Sequence, residues 1–592
     1  MTTAIEMDAA YPASASKAPV TLRIVNPIAL QKADTDDSDA SPPARRLPTL
    51  CGLVGLYWNG KQQGDIALKY THQALARLYP ELEFRHYMDE AGGALRRASD
   101  KLLDEMARDC SVVIGASADC GSCTSWLIRD LCGVERRGTP AVAWTASEFE
   151  HDAHWSARIF GVPDLAIAQV PECFTSNSPE IIRRMVEGSL PDLIRCLTEN
   201  VVTPVGQIRG FVREDIEKPD LCFSGKDALD AWESMNARFV GNGWSDGFPL
   251  VAPTPEKVAA LVQESGLDKS HLIGYLEPGF GLATVEKIAA NAVMAGASAA
   301  MMPLILAVVS AALDSRAGWR SVSMSTGPQA PMILVSGPVV KELALNSRIA
   351  PIGPGSQNAA NIAIGRALRL IMMNIGLSYP GFSDMDTHGS CMKFSYCVAE
   401  NEDANPWESY RVAKGFGAAS SIIGLNSPFS QTCLHDFTSY DPKTLVEVFA
   451  SAMATIPATM ASTWLTTVRA DESQPAAVRG EADNVLLLSP DHAAVFARAG
   501  YTLQDVKEAL FEASRIPFRK AMLNQAEALF KAAHPELQWM NSNLGTEISA
   551  FTSPDRFDIM VVGGPAGWST WHDGGTYTII REIGADHARA AS

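Results

Sequence analysis

Ser111-Val112-Val113-Ile114-Gly115-Ala116-Ser117-Ala118-Asp119-Cys120-Gly121-Ser122-Cys123-Thr124-Ser125-Trp126 places two thiols three residues apart, where an apolar run gives way to a helical pattern. Ser111 to Ala116 is bounded by small residues and rich in β-branched ones, which predicts a short buried strand. Thr124 and Ser125 then offer N-cap hydroxyls to a helix carrying Trp126, Leu127, Ile128, Leu131 and Cys132. A thiol at such a junction meets unpaired backbone N–H groups and the positive end of a helix dipole, both of which favour thiolate. Cys120 is therefore the expected nucleophile and the expected most reactive thiol. Cys123, about one turn further on, is the expected resolving thiol. The hydroxyls of Ser117, Ser122 and Thr124 around the turn are the expected substrate contacts. Two plainer readings stay open: half of a zinc site, although no second CxxC or HxxxH of the usual spacing follows, and a pair of inert core thiols.

Working outward, strand-like and helix-like segments alternate. Leu53 to Trp58, Leu82 to His86, Pro140 to Trp144 and Leu165 to Val170 read as strands. Gly64 to Leu78, Ala94 to Arg108, Glu148 to Phe160 and Ile181 to Thr198 read as helices. This alternation implies βαβ units and a parallel sheet, with ligands gathering at the carboxyl ends of the strands. The expected fold is α/β: an N-terminal parallel-sheet βαβ domain with the CxxC at a strand-to-helix turn, followed by a larger, mixed α/β domain. The expected divisions are a disordered tail over residues 1–46, the thiol domain over 47–200, and a Pro/Gly-rich linker over 201–226. A large Ala-rich domain over 227–482 and a smaller α/β segment over 483–592 that completes it would follow.

The chain has 592 residues, net charge -18 and 47% hydrophobic content, enough for several cores. Acidity without a Lys/Arg block argues against nucleic acid and anionic membranes as partners and favours a small-molecule substrate. Eleven cysteines without a dense regular spacing suggest a reducing compartment, and with no signal-peptide pattern the expected location is cytoplasmic. Ile288 to Leu313 and Val448 to Val468 are uncharged, but their Ala, Gly and Ser content suits buried helices better than membrane spans. Homo-oligomerisation stays open.

The Cys120-Gly121-Ser122-Cys123 motif resembles that of the UGSC proteins, a family named for a selenocysteine-Gly-Ser-Cys sequence in some members. Glu135, Gly138-Thr139-Pro140 and Thr145-Ala146-Ser147-Glu148-Phe149 support the likeness over about residues 50 to 200. More distantly, the order of strand, CxxC, helix, Glu and Gly-x-Pro strand, with Gly161-Val162-Pro163-Asp164-Leu165 after it, is similar to the selenocysteine subunits of glycine and proline reductases. That resemblance implies a carbon- or sulfur-directed nucleophile at Cys120.

Other residues are candidates on chemical grounds. His154, with His151 on the same helix, and Glu148 could move protons at Cys120. Arg366 and Arg369, on a helix after a Gly/Pro loop, could clamp a carboxylate. His388, Cys391, Glu400 and Glu402 are an alternative metal set, although a solvated acidic loop is the simpler reading. The expected function is a thiol-dependent oxidoreductase acting on a small electrophile, restored by an external dithiol or a thiol reductant protein. A non-redox cysteine lyase or transferase, and a metal-binding protein, are the alternatives.

Overall fold

The computed structural model describes residues 19–32, 41–88, 98–201, 216–454, 482–517, 545, 547–551, 553–565 and 567–584. Strand β1 (Val20–Val25) comes first, and then β2 (Leu53–Trp58), β3 (Glu83–Tyr87), β4 (Val112–Ala118), β5 (Ala141–Ala146) and β6 (Ala166–Val170) build one sheet. The spatial order is β3-β2-β4-β5-β6, and every pairing is parallel. β4 and β5 are buried at every residue, as strands covered on both faces must be. Helices α1 (Gly64–Leu78) and α5 (Pro179–Thr198) cover one face. Their Leu68, Leu75, Ile182 and Leu193 pack on Val54, Ile114 and Val142. Helices α2 (Asp100–Asp109), α3 (Gly121–Arg136) and α4 (Glu150–Ile159) cover the other, where Met106, Leu127, Leu131 and Ala153 meet Val113 and Ala143.

Two boundaries differ from the sequence reading. Within the stretch expected to be a disordered tail, β1 pairs antiparallel with β7 (Asp220–Gly225), which itself lies inside the expected linker. Ile24, Val25, Leu221 and Phe223 join the core of the second unit beside Phe239 and Ile288. The parallel sheet is thus inserted between two strands of the larger unit, and the apolar alternation of a six-residue strand is too short to stand out in a polar N-terminus. Residues 1–18, 33–40 and 202–215 lie outside the described ones.

The second unit contains two mixed four-stranded sheets. One is ordered Cys397–Ala399, Met332–Ser336, Ile422–Asn426, Ile579–Glu582, and the other Pro428–His435, Trp568–Gly574, Asn484–Leu488, Phe557–Val561. The uncharged run from Ile288 forms two buried helices, Val285–Met294 and Met302–Ala312, broken at Gly296. Among the described residues no single helix is long and apolar enough to cross a membrane. Ala299–Ala312 and Ser315–Met324 reach that length only together, bent by 78°, and the fully buried, ion-paired Arg320 lies in the second of them. Of the Val448 to Val468 run, residues up to 454 are described, the helix Pro442–Met453 among them.

Where the two mixed sheets meet, Tyr396 and His572 are hydrogen-bonded and both buried. His572 Nδ1 lies 3.3 Å from Val485 O, so the proton sits there and Nε2 accepts from the tyrosine hydroxyl. Burial lowers this imidazole to about 4 from an ordinary 6.5. Because the folded value is depressed, its contribution to stability is complete above pH 6.5 and is lost as the pH falls toward 4. The shift corresponds to about 3 kcal/mol. The urea midpoint should fall across that window, and His572→Gln, which still accepts the hydroxyl but cannot titrate, should flatten the slope.

Candidate active site at the sheet switch point

The sheet changes winding direction between β2 and β4, and the crevice outside their carboxyl ends is where such folds bind ligands. β2 runs out into Asn59 and β4 into Asp119-Cys120. Asn59 holds the two ends together: its Oδ1 accepts from Ser117 N at 3.1 Å, and its Nδ2 donates to Ser117 O at 3.1 Å and Cys123 O at 3.5 Å. Asp119 fixes the other side of the turn. Its carboxylate accepts from Ser117 Oγ at 2.9 Å and from Thr175 N and Oγ1 at 3.1 and 2.8 Å.

Cys120 is the N-cap of α3, which starts at Gly121, three residues before the Thr124 start expected from the hydroxyls. Cys120 adopts an extended conformation compatible with the cap, so Thr124 N already donates to Cys120 O at 2.9 Å and Thr124 and Ser125 fall inside the first turns. Cys120 and Cys123 are joined in a disulfide with their Cα atoms 5.4 Å apart, inside the range that bridges without backbone movement. Cys120 is 5% exposed and Cys123 is half-buried.

The second unit closes over this turn. A methyl on Gly121 would overlap the carbonyl oxygen of Met324, and the Met385 side chain lies beside it. Trp126 Nε1 donates to Ser321 Oγ at 3.1 Å, and the fully buried Arg320 donates to Ser125 Oγ at 2.7 Å. Arg320 also reaches Pro278 O at 2.5 Å and pairs with Glu277 at 3.4 Å, with Phe160 and Phe280 against its guanidinium. Burial lowers the pKa of Arg320, opposed by Glu277. Asp152 on α4, also buried, is pushed well up by burial and held back by the Arg320 charge. Removing Arg320 would open a void at a fully buried site and take the donor from Pro278 O, so Arg320→Ala should cost about 2–5 kcal/mol, read as a lowered urea midpoint.

Of the expected substrate contacts, Ser117 is fully buried and spent on Asp119, and Thr124 is buried, while Ser122 is half-buried on the turn itself. Glu148 is exposed after β5, bonded by Ser147 Oγ at 3.2 Å. His154 lies 3.7 Å from Glu150 on its own helix, and burial lowers its imidazole. His151 Nε2 lies 2.8 Å from Phe382 O. Arg366 and Arg369 do not form a clamp. Arg366 is held by Asp246 at 2.5 and 2.9 Å, and Arg369 by Lys393 O at 2.9 Å and Asp384 at 3.6 Å, because charges this buried require partners.

The alternative metal set is also dispersed. Glu400 accepts from Ser336 Oγ, Asn405 Nδ2 and Tyr410 N, Glu402 pairs with Arg411, and Cys391 is exposed at another place. Among the described residues no three His, Cys, Asp or Glu side chains gather as metal ligands.

One thiol went unnoticed in the sequence. Cys173, past the end of β6, donates to Asp119 O at 3.6 Å, and burial together with Asp119 and Glu148 raises it to about 11. Its place after a strand end was the available signal. Burial likewise raises Cys110, Cys132, Cys196 and Cys397. In the disulfide form Cys120 cannot react, so without reductant iodoacetamide should label the exposed Cys51, Cys222, Cys391 and Cys433 and spare Cys120 and Cys123. Mild reduction should add both to the labelled peptides read by mass spectrometry.

The geometry defines a class: an open, doubly wound α/β domain with a CxxC disulfide at its switch point. Residues 23–199 match the model of the UGSC family, and this part of the chain is a UGSC-family segment. Within the segment Glu135, part of the supporting sequence pattern, has a structural task. Its carboxylate accepts from Ala141 N at 2.7 Å, Ala44 N at 2.6 Å and the buried Arg46 at 2.7 Å, pinning the entering chain to the sheet. No curated protein matches the chain.

Proposed function

We propose that the chain is a thiol-dependent oxidoreductase of the cytoplasm, reducing a small electrophile through Cys120 and Cys123. The observation that carries this reading is the pair itself, able to close a disulfide at a helix N-terminus in the binding crevice. In the dithiol form the Cys120 thiolate attacks an electrophilic carbon or sulfur, and the leaving group departs with its electron pair and takes a proton. Cys123 thiolate then attacks Cys120 Sγ. The bond from Cys120 to the substrate breaks, its electron pair passes to the substrate fragment, and that fragment takes a second proton. Two electrons have moved from dithiol to substrate, and the Cys120–Cys123 disulfide remains for an external dithiol to reduce by exchange.

The distant likeness to the selenocysteine subunits of glycine and proline reductases supports an electrophilic carbon or sulfur as the target. Glu148, exposed after β5 at the carboxyl edge of the sheet, is the group assigned to proton transfer. His154, whose imidazole is lowered by burial against the opposing pull of Glu150, is given no step. The test is a thiol count on the reduced protein before and after exposure to a cell-metabolite fraction without added reductant. A loss of two thiols confined to Cys120 and Cys123 supports net reduction, whereas turnover with both thiols retained would replace it with adduct chemistry.

A further inference from the structure

The second unit contains a cavity of about 570 Å³, well away in sequence from the thiol turn and lined by Phe248, Ile352, Ile362, Phe394, Tyr396 and Arg366. That volume lies within the range of small-molecule sites, which are mostly apolar with a few placed polar groups. Here nearly every polar group in the wall is already committed. Tyr396 OH is bonded to His572, Ser395 Oγ to Ile362 O at 3.0 Å, and Asn361 to Asn346 and Cys397 O. Arg366 stacks at 5.5 Å on Phe248 and spends Nε and Nη2 on Asp246 and Pro249 O. Its charge is thereby neutralised by a carboxylate, while Nη1 has no partner among the described residues.

We infer that this cavity is a binding site for an uncharged, largely apolar molecule bearing one hydrogen-bond acceptor, to which Arg366 Nη1 donates. Apolar walls supply the affinity by burying the ligand's surface. The Arg366–Asp246 pair selects against an anion, because a second carboxylate would have to compete with Asp246 for the same guanidinium.

The probe is 6-propionyl-2-dimethylaminonaphthalene, an uncharged naphthalene with one ketone oxygen, added to the full-length protein. Saturable one-to-one binding with a blue-shifted emission is expected, and Ile362→Trp, which fills the cavity from a half-buried position, should weaken it by at least about tenfold. The anionic anilinonaphthalene sulfonate should bind the parent at least about tenfold more weakly than the neutral probe. A second measurement does not depend on that variant folding. Cys391 is exposed on the cavity lining, so the bound probe should slow its alkylation by iodoacetamide in the parent protein. Absence of saturable binding, equal binding by a folded Ile362→Trp protein, an unchanged Cys391 rate, or equal affinity for the anionic dye would each overturn the inference.

Discussion

Cys120→Ser should lose turnover by on the order of a thousandfold or more and form no adduct, whereas Cys123→Ser should stall with substrate attached to Cys120. The two roles follow from position. Cys120 is the N-cap residue of α3, at the positive end of its dipole, and Cys123 sits within bridging reach one turn later. Without Cys123 nothing inside the protein expels the bound fragment. Intact-mass spectrometry of both variants after incubation with cell metabolites reads the difference directly. An adduct on Cys123 in the Cys120→Ser protein, and none in the Cys123→Ser protein, would reverse the roles. Equal turnover by both variants would remove the thiol mechanism.

Gly121→Ala should destabilise the protein by about 3 kcal/mol, against the gain of roughly 1 kcal/mol that helix propensity alone assigns to this exchange. The sign is decided by packing. The added methyl would meet the backbone carbonyl of Met324, which cannot rotate aside as a side-chain end can. Relief requires moving the helix Trp319–Met324 off α3, which would strain the Trp126–Ser321 and Arg320–Ser125 hydrogen bonds together. A urea denaturation curve measures the loss. An unchanged or raised midpoint would mean that the two units do not press together at the thiol turn. The same variant should lose activity even where it remains folded, because the displaced helix carries both contacts to the turn.

Local chemistry in the sequence established the N-terminal architecture. Alternating apolar runs and helical patterns were enough for a parallel sheet, and the CxxC between Ala118 and Trp126 was enough to place the thiols at its carboxyl edge. Short-range signals set both, since strand burial and helix period are properties of consecutive residues. The exact helix start was less legible, because the hydroxyls of Thr124 and Ser125 advertise a cap that the backbone of Cys120 supplies instead. Individual candidates fared according to how local their chemistry is. Cys120 and Cys123 meet because three residues of helix bring them together. Arg366 and Arg369, neighbours on one helix face, are separated in function by Asp246 and Asp384, partners that the helix sequence does not contain.

Tertiary structure alone decided the rest. Strand order, and hence the switch point that Asn59 and Asp119 bridge, depends on which crossovers the chain takes rather than on any one segment. The insertion of the sheet between β1 and β7 depends on a pairing across about two hundred residues, from Val20–Val25 to Asp220–Gly225. Arg320, buried against Ser125, and Met324, seated on Gly121, reach the thiol turn from a similar distance along the chain. Contacts of that kind leave no periodicity in sequence, because burial and charge pairing act between surfaces that meet only after folding.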